Sequence, residues 1–176
     1  YSSRAAAPMS KKPTGLLLAR RNPVTTFSMW SKLNPGSSVA VVAPAGPVPA
    51  EPFRLGMEIL SARYKVVHGG TAPDPWDDLP YLAGDDASRA AALNDALRDA
   101  EVEAVFFARG GYGSTRILQA LDGRALAARP IPLVGFSDIT ALHAWAACLG
   151  IPTIHGPVVT QLSRLPADQV EGMFRM

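Results

Sequence analysis

Val39-Ala40-Val41-Val42-Ala43 is an unbroken apolar run of strand length, and Pro44-Ala45-Gly46-Pro47 stops it sharply. A β-branched run without polar alternation reads as a buried strand, and the proline and glycine that follow read as a loop. Working outward, Phe53, Met57 and Leu60 recur at helical spacing, and Tyr64 to Val67 supply a second strand. Thr71 to Leu79 is rich in proline and aspartate and has no periodicity, which predicts a surface loop with Asp74, Asp77 and Asp78 in solvent. Ser88 to Ala100 sets Ala90, Leu93, Leu97 and Ala100 on one face of an amphipathic helix. Val102 to Ala108 is the next strand, followed by a glycine-rich turn and a short helix carrying Ile117, Leu118 and Leu121. Ile131 to Phe136 is another strand, and Asp138 to Leu149 a helix with Ile139, Leu142, Trp145 and Leu149 inward. Pro152 to Ile154 is a last short strand. Strands apolar throughout, alternating with helices, make a parallel sheet covered on both faces. The fold class is therefore α/β, a doubly wound parallel sheet.

The chain has 176 residues, 48% hydrophobic and 18% charged, enough to bury one core. No apolar stretch approaches the ~18 residues that cross a bilayer, so no membrane partner is expected. The single cysteine, Cys148, allows no internal disulfide and no cysteine-based metal site; an intracellular setting is the default. Its place in an apolar helix face predicts a small core residue. The formal charge of +2 averages two unlike pieces. Residues 1–50 carry Arg4, Lys11, Lys12, Arg20, Arg21 and Lys32 and no acid, which leaves eleven basic against fifteen acidic side chains in 51–176. That net-negative part disfavours nucleic acid. Residues 1–29 read as a disordered leader, either a tail or sequence upstream of a start at Met29. Their Ser, Arg and Pro content also fits a transit peptide, although no amphipathic pattern runs through them. The α/β domain is expected over 30–166, with 167–176 opening a linker or helix.

In such sheets ligands bind beyond the carboxyl ends of the strands. Four loops meet that description: Pro44 to Pro47, Arg109 to Gly113, the turn at Ser137, and His155 to Pro157. Pro132-Leu133-Val134-Gly135-Phe136-Ser137-Asp138-Ile139-Thr140 runs from strand to helix with no spacer, and the serine sits at the junction. A sharp turn there lifts the Ser137 side chain above the sheet edge, and Gly135 keeps the bend uncrowded. It also aims the Asp138 N–H at any oxygen bound beside the serine, with the helix dipole behind it. Ser137 is thus either a nucleophile beside half an oxyanion hole or the N-cap of its helix, since G-x-S-x-I lacks the second glycine of the hydrolase pattern. Arg109-Gly110-Gly111-Tyr112-Gly113 can bring backbone amides against a ligand, to cradle a phosphate or supply the second oxyanion donor. A tight turn alone accounts for one of its glycines and poorly for three. The glycine spacing matches no dinucleotide fingerprint, and a P-loop lysine is absent.

Tyr81-Leu82-Ala83-Gly84, Arg89-Ala90, Ala108-Arg109-Gly110-Gly111-Tyr112-Gly113, Leu133 to Thr140, and Ile154-His155-Gly156-Pro157 together resemble the ordered motif series of the LD-carboxypeptidases. That family includes the muramoyltetrapeptide carboxypeptidases and the microcin C self-immunity peptidases. The resemblance covers roughly Pro35 to Leu165. It implies a serine peptidase whose amino-terminal domain is flavodoxin-like, with Ser137 as nucleophile and the N–H groups of Asp138 and of the Gly110-Gly111 pair, Gly111 first, as oxyanion donors. It implies a cytoplasmic bacterial enzyme, homodimeric at full length, that removes terminal D-alanine from murein peptides, with no metal and no cofactor. A peptidyl-nucleotide amide hydrolase is the alternative within the family, and a non-catalytic anion-binding module the alternative outside it. The family's glutamate and histidine lie in a second domain, which this sequence is expected to lack, so the chain as given is expected to be nearly inactive.

The substrate-binding candidates are Arg109, Tyr112 and His155. Arg109 either grips a substrate carboxylate through its planar fork or makes a salt bridge that fixes its loop. His155 shares the sheet edge with Ser137, where it lines the pocket or holds the Gly156-Pro157 turn. His143, six residues after Ser137 on the same helix, is expected to point elsewhere, and His68 to be a solvated loop residue. The Asp138 side chain is expected to cap its own helix.

Overall fold

A computed structural model describes residues 32–175; the leader, residues 1–29, lies outside them. The run at Val39 lies in β1 (Ser38–Val42), and β2 (Lys65–His68), β3 (Ala104–Phe107) and β4 (Leu133–Gly135) follow where the apolar runs predict, whereas β5 (Ile154–His155) shares only Ile154 with the expected Pro152 to Ile154. All four pairings are parallel, in the order β2-β1-β3-β4-β5. That is the flavodoxin-like doubly wound order, whose ligand-binding crevice opens where the winding reverses, between β1 and β3.

Alternation along each strand feeds two cores. Ala40, Val42, Val105, Phe107 and Leu133 face one layer, with Leu93 and Leu97 of α2 (Asp86–Arg98), Leu126 of α4 (Gly123–Ala128) and Leu142 and Ala146 of α5 (Thr140–Cys148). Val39, Val41, Phe106 and Val134 face the other, with Phe53 and Leu60 of α1 (Ala50–Ser61) and Val170 and Met173 of α6 (Ala167–Met173). A four-residue helix, α3 (Ser114–Ile117), follows the glycine-rich loop. Placing helices on both faces buries β3 and β4 throughout and β1 beyond Ser38, which is why their sequences are apolar without alternation, while the edge strands β2 and β5 stay partly exposed.

Several helix expectations need correction, all at helix ends: α3 stops at Ile117, so Leu118 opens a 3-10 turn that ends at Ala120 and Leu121 lies beyond it. α2 stops at Arg98, so Ala100 lies outside it and is exposed, and Ala96 completes the buried stripe instead. α5 ends at Cys148; Cys148 is exposed and Leu149 is 40% exposed, so neither joins the core that Ala146 enters. Gly150, with φ 74, turns the chain away just after, and the helical face cannot continue inward past it.

Candidate active site

β4 delivers the chain to the carboxyl edge at Gly135. Phe136 is still extended at φ −153, and Ser137 then takes φ 64, the one non-glycine residue with positive φ among those described. Such a conformation costs an L-residue roughly 1–3 kcal/mol and persists only where the surroundings impose it. Ser137 to Ile139 form one 3-10 turn that runs into α5. The serine is exposed and makes no capping hydrogen bond, so the N-cap alternative does not describe it. Asp138 does not cap its own helix either. Its Oδ2 accepts the Ser114 N–H at 2.8 Å, which pins the start of α3 to the Ser137 turn.

The glycine-rich loop lies directly against this turn. A Cβ built on Gly110 would stand 2.9 Å from Cβ and 3.1 Å from Oγ of Ser137, so only glycine lets the two backbones approach. The Gly46 N–H donates to the Gly110 carbonyl at 3.1 Å. A trans peptide is planar, so holding that carbonyl toward Gly46 aims the Gly111 N–H the opposite way. Among the described residues this N–H has no acceptor. Ser137, Gly110, Gly111 and Arg109 line a cavity of about 360 Å³ with Thr160 and Arg164. Arg109 donates from Nη1 to the Pro47 carbonyl, a loop contact of a kind other than the expected salt bridge. Tyr112 is outside the cavity lining: it is 52% exposed, with its ring 5.9 Å from that of Tyr81.

His155 is exposed and lines a neighbouring cavity, which shares Phe136 and Gln161 with the first. His143 is half-buried and donates from Nε2 to the Gly135 carbonyl at 2.9 Å, with its ring 6.1 Å from His155. Burial holds its pKa below the ordinary histidine value; His155 adds to this and the hydrogen bond to Gly135 opposes it. His68 closes β2 rather than lying in a loop, and its Nε2 pairs with Asp99 Oδ2 at 2.7 Å. The Asp99 carboxyl sits below its usual range, chiefly because it accepts the Glu101 N–H and also through His68. Among the described residues no hydrogen bond joins the Ser137 hydroxyl to a histidine or a carboxylate.

Three cavity residues escape the sequence reading, and one residue of the motif series is buried without any local signal for it. Thr160, Gln161 and Arg164 reach the cavity from a 3-10 segment, Val159–Arg164, that no periodicity announced. Arg89 is 2% exposed, with its guanidinium under the loops of the site; a charged residue on a helix carries no sequence signal for such burial. Among the described residues there is no group of three metal-ligating side chains, and no helix is long and apolar enough to cross a membrane. The arrangement presents a strained, accessible hydroxyl beside a free backbone donor, which is what acyl transfer to serine requires of its first two partners.

The LD-carboxypeptidase N-terminal domain model matches residues 39–156. A Streptomyces coelicolor protein provisionally named a carboxypeptidase is 50% identical over 133 residues, covering 73% of this chain and 42% of its own length. The murein tetrapeptide carboxypeptidase of Pseudomonas aeruginosa is 37% identical over 129 residues, covering 73% and 41%. Among solved structures, the microcin C7 self immunity protein MccF in its wild-type apo state aligns at TM-score 0.74 and 26% identity, covering 82% of this chain and 45% of that one. A muramoyltetrapeptide carboxypeptidase from Oxalobacter formigenes aligns at 0.67 and 27%, covering 77% and 46%. The chain thus spans about two-fifths of the length of the curated relatives it matches.

Proposed function

From the premise that this chain belongs to the LD-carboxypeptidase family, we propose that Ser137 is the nucleophile of a serine peptidase that releases terminal D-alanine from murein tetrapeptides. The observation that carries the reading is the left-handed Ser137 backbone at the strand-to-helix turn, with Gly110 packed against its side chain. Strain of this kind at an exposed serine serves to hold Oγ clear of the sheet edge, toward a carbonyl in the cavity. The reaction runs as acyl transfer in two steps. A base takes the Ser137 proton and Oγ attacks the L,D-amide carbonyl. The N–H groups of Asp138 and Gly111, with Gly110 shaping the loop, hold the oxyanion. The amine of D-alanine leaves with a proton, and water then releases the acyl group from the serine.

Arg109 has guanidinium N–H groups beyond the one given to Pro47, and these suit a substrate carboxylate; Tyr112 and His155 would touch more distant parts of the peptide. The base and its orienting carboxylate are a histidine and a glutamate outside the described residues, as the family resemblance implies. Residues 1–176 by themselves are accordingly expected to turn over slowly, retaining the ~10³–10⁴-fold advantage over water that an oxyanion hole and binding provide. A bacterial cytoplasmic setting and a homodimer complete the proposal.

A second reading within the family, amide hydrolysis of a peptidyl nucleotide, rests on the likeness to the self immunity protein, which has been solved in complex with aspartyl sulfamoyl adenosine. Release of D-alanine from a murein tetrapeptide, assayed beside cleavage of an aminoacyl nucleotide, separates the two. Where the histidine and glutamate are supplied, Ser137→Ala is expected to abolish whichever cleavage occurs, while the residual turnover of residues 1–176 alone should change little. Undiminished cleavage in that variant with both supplied would remove Ser137 from the mechanism, and phosphate-dependent thermal stabilisation without any cleavage would favour a binding module.

A further inference from the structure

We propose that Arg89 is a positioning residue that clamps the glycine-rich loop in its donor orientation; the catalytic consequence rests on the proposed role of Gly111, while the structural claim does not. Arg89 projects from the first turn of α2, and its side chain is 1% exposed. A buried guanidinium is costly unless its donors are met, and here three loops meet them. Nε donates to the Gly84 carbonyl at 3.1 Å, and Nη1 to the Gly113 carbonyl at 3.0 Å and to the Pro44 carbonyl. Nη2 pairs with Asp86, whose carboxylate also takes Arg116 at 2.8 Å.

The positions of those carbonyls matter more than their number. Pro44 stands two residues before Gly46, and Gly113 two residues after Gly111. The Gly46 N–H to Gly110 carbonyl bond, which sets the direction of the Gly111 N–H, therefore lies between two backbone points held by one planar group. Among the described residues the Pro44 and Gly84 carbonyls have no other donor. The contact with Gly113 is close: at φ 127, a Cβ there would stand 2.8 Å from Arg89 Nη1 and 2.5 Å from Leu82. Arg89 itself does not line the Ser137 cavity, so it acts through the loop and touches no substrate. A lysine has a single ammonium and cannot span three carbonyls that the rigid fork reaches together.

The test compares the full 176-residue chain with Arg89→Lys, Arg89→Gln and Gly113→Ala by hydrogen exchange, thermal unfolding and, with imidazole supplied as a general base, the rate of Ser137 modification by a fluorophosphonate. Both Arg89 variants are expected to speed exchange at Gly110 to Ser114 at least about tenfold while β1 and β3 keep their protection, and to slow modification about tenfold at temperatures where the chain is folded. Arg89→Lys is expected to give no rescue. Gly113→Ala keeps Arg89 and lifts the loop off it, so it is expected to reproduce the exchange effect even if the Arg89 variants fail to fold. Loop exchange and modification within twofold of wild type in folded Arg89→Lys, or unchanged loop exchange in Gly113→Ala, would overturn the proposal. A loosened loop in a chain whose Ser137 is never modified would uphold the clamp and defeat the serine reading instead.

Discussion

The Ser137 turn and the His143–His155 pair flank Phe136 on the same sheet edge and are built in opposite ways. On the serine side the backbone is over-determined: Asp138 holds Ser114, Gly46 holds Gly110, and Arg89 holds Pro44 and Gly113. On the histidine side, β5 has two residues, His155 is exposed, and His143 spends its Nε2 hydrogen on the Gly135 carbonyl. A catalytic base needs hydrogen-bond reach to the nucleophile and a partner that orients its ring. Neither histidine has both. The backbone around the proposed nucleophile and oxyanion donors is thus fixed in advance, whereas among the described residues no histidine is held against the Ser137 hydroxyl.

The comparison breaks most visibly at Gly110. Gly110→Ala puts a methyl within 2.9 Å of the Ser137 side chain, and we expect a loss of ~10²-fold or more in D-alanine release, the scale of removing an oxyanion donor. His155→Ala should change the same rate by less than about threefold; a loss comparable to that of Gly110→Ala would make His155 the overlooked base. The strain at Ser137 gives the next effect. Ser137→Gly should be about 1 kcal/mol more stable to denaturant than Ser137→Ala, because glycine adopts φ 64 without a Cβ penalty. Equal stabilities would mean that the turn is relaxed.

The smallest effect is on pH. The His143 pKa is depressed by burial, so between that value and the ordinary ~6.5 the unfolded chain binds more protons than the folded one. Its contribution is complete above about pH 6.5 and is lost as pH falls through the folded value. Thermal unfolding should therefore drop from pH 7 to pH 5, and His143→Gln should flatten that slope.

How much of this was legible depended on range along the chain. The β1 run and the Gly135-to-Thr140 junction carry their meaning locally, through apolar continuity and an abrupt strand-to-helix switch, and both strand and turn lie where the residues put them. Arg89 and Asp138 carry theirs through partners 24 to 45 residues away, which neither periodicity nor capping rules encode. α4 is six residues long and too short for a periodic signal, and Cys148 and Leu149 read as core only if the helix runs on past Gly150. Even Arg109 shows the limit: its loop was identifiable, while its bond to Pro47 depended on how two loops meet.

The account turns on Ser137 being a reactive serine held by its turn, and covalent labelling tests that directly. The 176-residue chain treated with a fluorophosphonate, with imidazole supplied as a general base in place of the missing one, and mapped by peptide mass spectrometry should carry one adduct, on Ser137, abolished in Ser137→Ala and slowed in Gly110→Ala. An unlabelled Ser137 in a folded chain, or an adduct on another serine at equal rate, would contradict it.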